Sequence, residues 1–176
     1  MKPVYHIVTH PDLKTSRVNK EIVKYFQNEP GIETRILYQA YPDWKINIAK
    51  EQESLTKADI ILVQTPFYWY STPPLFKEWE DKVLEYGFAY GEGGDKLKGK
   101  KFLLVISTYG PEESYQRNGY NHFTMEELLR PLEQTANFCL LEYMPPLVLH
   151  GVTEKTDQEI TAFARRVKQQ VNALRE

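Results

Sequence analysis

One cysteine, Cys139, stands among 176 residues. That excludes an internal disulfide framework and leaves no set of thiolates to hold a metal. Blocks of basic charge are also missing: 22 Lys and Arg against 24 Asp and Glu give a net charge of −2. Such a balance offers no electrostatic footprint for nucleic acid or for an anionic membrane surface. Long apolar runs are absent too, since stretches such as Phe102 to Ile106 fall far short of a bilayer span. The N-terminus runs straight into a strand-like segment, without the separate charged and apolar regions of a secretory leader. Glycine-rich phosphate fingerprints do not occur either: Gly91, Gly93 and Gly94 do not directly follow a strand and read as turn material. What remains is ordinary globular usage, 41% hydrophobic and 26% charged, at a length that predicts a single domain over 1–176, in the cytoplasm. Aromatics are plentiful: 12 Tyr, 8 Phe and 3 Trp, the residue types that dominate interfaces and flat-ligand pockets.

Along the chain, strand and helix patterns alternate. Val4 to Thr9 reads as a β-rich run, followed by a helical stretch with Val18, Ile22, Tyr25 and Phe26 on one face and a break at Glu29-Pro30-Gly31. Thr34 to Tyr38 reads as a second strand. A short polar helix, Lys50 to Lys57, leads to Ile60-Ile61-Leu62-Val63, whose continuous apolar character suits a strand buried on both faces of a parallel sheet. Leu75 to Leu84 reads as a helix started by Pro73-Pro74, and Phe102 to Ile106 as another buried strand. Thr124 with Glu127 is a capping-box pattern opening a helix that Pro131 should kink or tighten. Leu147 to Leu149 suggests a last strand, and Thr156 with Glu159 opens a final helix with Ile160, Phe163, Ala164, Val167, Val171 and Leu174 as its buried stripe. Five strands alternating with five helices predict an α/β protein, an open parallel sheet covered on both faces.

Ligands of such sheets sit beyond the carboxyl ends of the strands, so three loops matter: His10 to Arg17, Thr65 to Tyr70 and Thr108 to Phe123. The first ends at an N-cap serine, Ser16, where free amides and a positive dipole end suit a phosphate; it also fits an ordinary capped helix. A phosphoacceptor receiver shares the layout but needs acidic strand ends, and those here read Thr9-His10 and Gln64-Thr65-Pro66. The second loop places Phe67, Tyr68, Trp69 and Tyr70 in succession, as a hydrophobic plug, a dimer contact, or a wall for a planar ring. A planar ring plus a phosphate at a switch point indicates flavin mononucleotide. The third loop carries Ser107, Thr108, Tyr109 and Gly110, donors for charge on a reduced ring, with Tyr115 and His122 able to move a proton.

At these loops the sequence resembles the NAD(P)H:quinone oxidoreductase family of flavodoxin-like proteins. It is most similar to short bacterial members, among them ancillary subunits of glutathione-gated potassium efflux systems and general stress protein oxidoreductases. Gln64-Thr65-Pro66-Phe67-Tyr68-Trp69-Tyr70-Ser71-Thr72-Pro73-Pro74, Gly87-Phe88-Ala89-Tyr90-Gly91, Asn118-Gly119-Tyr120-Asn121 and Leu129-Arg130-Pro131-Leu132-Glu133 carry the resemblance. It implies a flavodoxin-like five-stranded fold, a homodimer with flavin at the subunit interface, and ping-pong two-electron reduction of quinones, with nitro or azo compounds as further acceptors. FMN or FAD is the implied cofactor and NAD(P)H the co-substrate. His10, Ser16, Val18 and Asn19 then hold the phosphate and ribityl chain. Pro66, Phe67, Tyr68, Trp69 and Tyr70 line the isoalloxazine, with loop amides at its N5 and O4 edge. Ser107, Thr108, Tyr109 and Gly110 face its pyrimidine edge, Tyr109 standing where relatives often have glycine. Tyr115 matches the family's proton-relay tyrosine, while Asn121 and His122 compete for the relay histidine. The rival reading is a regulatory subunit of a potassium efflux transporter. An electron-carrier flavodoxin is disfavoured by the small net charge.

Overall fold

The computed structural model describes residues 1–176. Strand β1 (Val4–Val8) leads to helix α1 (Arg17–Lys24), then β2 (Ile32–Ile36), a single helical turn α2 (Leu37–Ala40) and α3 (Ile48–Lys57). The central strand β3 (Ile60–Pro66) is followed by α4 (Pro74–Val83), β4 (Lys101–Ser107), α5 (Met125–Leu128), α6 (Arg130–Phe138), β5 (Glu142–Tyr143), β6 (Leu147–Leu149) and α7 (Asp157–Arg175). All pairings are parallel, in the order β2-β1-β3-β4-β5, with β6 also on β4.

Successive side chains of a strand point to opposite faces, and the two cores follow that rule. Val4, Ile60, Leu62, Leu103 and Val105 pack against Val18, Ile22 and Phe26 of the α1 segment and the Ile160 to Leu174 stripe of α7. Tyr5, Ile7, Ile61, Val63, Leu104 and Ile106 pack against Leu55 of α3, Leu75, Phe76, Trp79 and Val83 of α4, and Ala136 of α6. Between α3 and α4, Glu51 lies fully buried. It accepts from Trp79 Nε1 at 2.8 Å, from the Tyr5 and Tyr41 hydroxyls, and from Arg35 Nε at 3.2 Å.

Four departures from the sequence reading have physical causes. The second strand spans Ile32–Ile36, because it ends where β1 ends, Val8 opposite Ile36, and Leu37-Tyr38 begin a helical turn. The first helix ends at Lys24, and residues 25–28 continue as tight turns closed by Asn28 at φ 66°. The fifth strand is split in two: β5 pairs with Lys101-Phe102 and β6 with Val105–Ser107. Between them lie Pro145 and Pro146, which have no N–H for a ladder. Finally, Pro131 divides its helix rather than bending it. It sits in the first turn of α6, after Leu129 at ψ −2°, so the carbonyl it would clash with belongs to the separate α5.

Candidate functional site

The register sets Pro66 beside Ser107 and Ser107 beside Leu149, so the loops leaving β1, β3, β4 and β6 open along one edge of the sheet. Two adjoining clefts lie there. One, of about 500 Å³, is lined by His10, Thr15, Ser16, Arg17, Val18, Asn19, Pro66, Phe67, Tyr68, Ser107, Tyr109, Val152 and Thr153. The other, of about 440 Å³, is lined by Phe67, Trp69, Tyr70, Tyr109, Gly110, Ser114, Tyr115, Tyr120 and Asn121. Phe67 and Tyr109 belong to both.

No Asp or Glu lines the first cleft. Ser16 caps α1, its Oγ accepting from the Asn19 amide and from Asn19 Nδ2, each at 3.1 Å. The amides of Arg17 and Val18, at the first two positions of α1, have no partner within the chain. Val18 contributes that amide alone, because its side chain is buried in the core. His10 Nδ1 accepts from the Asp12 amide at 3.1 Å, which places the ring hydrogen on Nε2 as a donor. Burial pushes the His10 pKa down, so the ring is neutral at pH 7. Arg17 is tied to Asp157 Oδ1 at 2.7 Å and to the Lys155 carbonyl at 3.0 Å. This donor set, backed by a helix dipole, fits a phosphate group.

In the second loop, reciprocal bonds between Tyr68 and Ser71 close a two-residue turn with Trp69 at φ 48° and Tyr70 at φ 63°. Two bulky residues in left-handed conformation cost conformational energy, which the flanking pairing offsets. The amides of Phe67 and Tyr68 are spent on Ser107 O and Ser71 O, while those of Trp69 and Tyr70 are free. Trp69 is 92% exposed and lines only the second cleft. Tyr70 donates to Asn121 Oδ1 at 3.1 Å, joining the second loop to the third.

In the third loop, Thr108 is fully buried; its hydroxyl donates to Gly110 O at 2.7 Å and meets His150 Nδ1 at 3.0 Å. Its single hydrogen being committed to a carbonyl, Thr108 must accept from His150, whose Nδ1 is therefore protonated. Tyr115 is buried between Phe67, at 6.0 Å between ring centroids, and His150, at 5.0 Å. Burial pushes the Tyr115 phenol up. The histidine against Tyr115 is thus His150. His122 is exposed, at φ 62°, and lines a neighbouring groove that shares Tyr70, Tyr120 and Asn121 with the second cleft.

The structure therefore brings together His10, Ser16, Val18, Asn19, Pro66, Phe67, Tyr68, Ser107 and Tyr109 in one cleft, and Trp69, Tyr70, Gly110 and Tyr115 in the adjoining one. Sequence reasoning missed Arg17, His150, Val152 and Thr153. The signal for the last three was available, since the strand Leu147 to Leu149 also has a carboxyl end.

A family profile described as flavodoxin-like fold matches residues 2–171. The chain is 40% identical over 160 residues to the uncharacterized NAD(P)H oxidoreductase YdeQ of Bacillus subtilis (strain 168), covering 91% of this chain and 81% of that one. It is 41% identical over 165 residues to the glutathione-regulated potassium-efflux system ancillary protein KefF of Enterobacter sp. (strain 638), covering 94% and 93%. Among solved structures, general stress protein 14 from Treponema denticola, in complex with FMN, superposes with a TM-score of 0.93 at 36% identity, covering 98% of this chain and 99% of that one.

Proposed function

The chain belongs to the flavodoxin-like family and is an oxidoreductase, and from that premise we propose that it uses FMN to carry electrons from NAD(P)H to quinones. The observation that carries this reading is the pairing of a carboxylate-free donor cleft at the start of α1 with an aromatic turn presenting the free amides of Trp69 and Tyr70. Ser16, His10 and the amides of Arg17 and Val18 would hold the phosphate. Phe67, Tyr68 and Tyr70 would flank the ring system, and Ser107 would meet its polar edge. Bound FMN supplies a ring that accepts two electrons and passes them on. The protein's part is to orient it, exclude water on the Phe67 side, and hold a proton at the Tyr115 hydroxyl beside Gly110. One open cleft serves both substrates in turn, so the nicotinamide leaves before the quinone enters and the kinetics are ping-pong.

Three aromatics around this mouth, Trp69, Tyr120 and Tyr109, are 92%, 85% and 78% exposed. A second copy of the chain covers them in our reading and completes the substrate cleft. Light scattering should show a dimer at micromolar concentration; a fully active monomer contradicts this. The likeness to KefF supports a second, compatible role on a potassium efflux transporter, which co-purification with such a transporter tests.

Titration of FMN with the purified protein should quench the flavin fluorescence saturably, and the complex should reduce a para-quinone with NADH or NADPH. Absence of saturable quenching with a folded protein refutes the functional reading.

A further inference from the structure

A buried line of side chains reaches the cleft from within the sheet. Gln64, fully buried on β3, has Nε2 2.9 Å from the main-chain carbonyl of Asn19 and 2.9 Å from Asn19 Oδ1. A carbonyl only accepts, so the Gln64 amide nitrogen must face it and Oε1 must face the other way, toward His6 Nε2 at 2.9 Å. His6 then carries its hydrogen on Nε2 and takes the Thr34 hydroxyl at Nδ1, 3.3 Å away. Complete burial pushes the His6 pKa down to about 4, consistent with a neutral link.

The same carbonyl fixes the next amide. Gln64 offers its second N–H to Asn19, so the Asn19 oxygen must lie there; the reverse orientation would set donor against donor. Asn19 Nδ2 is thereby turned to the cleft, where it donates to Ser16 Oγ at 3.1 Å and Ser107 Oγ at 3.0 Å. Ser16 Oγ also accepts the Asn19 amide. Both of its lone pairs are filled, and one hydrogen remains.

We propose that Gln64 and Asn19 are positioning residues that make the Ser16 hydroxyl a donor only, so that the start of α1 favours a ligand that carries a phosphate group over one that lacks it. This rests on the proposed FMN-binding role, and Asn19 acts through the serines rather than by touching the cofactor. A hydroxyl free to rotate could present a lone pair to the phosphate; one locked by two incoming N–H groups cannot.

The test compares the dissociation constants of FMN and riboflavin, which differ by the phosphate, in wild-type protein and Gln64→Met, by fluorescence quenching. The expected result is that the preference for FMN over riboflavin falls about tenfold or more while riboflavin affinity stays within about twofold. Should Gln64→Met not fold, Asn19→Leu removes the donors from the exit of the line and keeps the Ser16 main-chain cap; because Ser107 also loses its donor, both flavins weaken in that variant, FMN about tenfold more than riboflavin. A variant that keeps the wild-type FMN preference, or loses affinity for both flavins in parallel, overturns the proposal. Wild-type protein that binds neither flavin overturns the functional reading itself.

Discussion

Replacing Ser16 by alanine separates the helix-cap role that the structure shows from the phosphate-binding role that we propose for the same hydroxyl. As the cap of α1 it accepts from the Asn19 amide, and losing such a cap costs about 1 kcal/mol of stability. For a chain of this length that corresponds to roughly 2–4 °C in Tm. Its remaining hydrogen points, in our reading, to a phosphate, and a charge-assisted bond of that kind contributes about 1.5–3 kcal/mol. FMN affinity should therefore fall roughly tenfold to a hundredfold. The two effects are read independently, by thermal unfolding of the flavin-free protein and by FMN titration. Ser16→Thr, which retains the hydroxyl, should recover most of both. A lowered Tm with unchanged FMN affinity would reduce Ser16 to a helix cap and refute the phosphate assignment.

Tyr115→Phe and His150→Gln should slow reduction of the bound flavin by NAD(P)H about tenfold or more with little change in FMN binding, while His122→Gln should not; stopped-flow absorbance distinguishes them, and the opposite ranking would return the relay to His122. Glu51→Leu leaves the donors of Tyr5, Arg35, Tyr41 and Trp79 facing an apolar group, so it should destabilise by about 3–5 kcal/mol in denaturant unfolding; a loss below about 1 kcal/mol would refute the role of this cluster. His6, at about 4 when folded against about 6.5 unfolded, binds its proton more readily in the unfolded chain, so stability is full above pH ~6.5 and falls toward pH ~4, by about 3 kcal/mol. His6→Asn should flatten that part of the pH profile; an unchanged profile places the titration elsewhere.

The two strands Ile60 to Val63 and Phe102 to Ile106 were legible because a parallel strand covered on both faces has no polar side to alternate with. The capping boxes at Thr124 and Thr156 were equally plain, being local patterns that the structure repeats. What escaped was non-local. Pro145 and Pro146 beside Leu147 are a local sign of an interruption, but that Glu142-Tyr143 ahead of them pairs with Lys101-Phe102 is set by a strand distant in sequence. The neighbour of Tyr115 lies 35 positions away, at His150, and His122 was the nearer histidine in sequence. Gln64 read as the end of a buried strand; only the distances to Asn19 show that its amide directs the polarity of Ser16.

Transfer of electrons from a nicotinamide to a quinone through FMN, within one cleft, is the activity we propose for this fold. Mixing the FMN-loaded protein with NADH or NADPH under anaerobic conditions and then with a quinone, while following the visible flavin band, tests it most directly. The band should bleach with the nicotinamide and return with the quinone, each without the other present. A band that persists after the nicotinamide, or that returns at the same rate without protein, would contradict it.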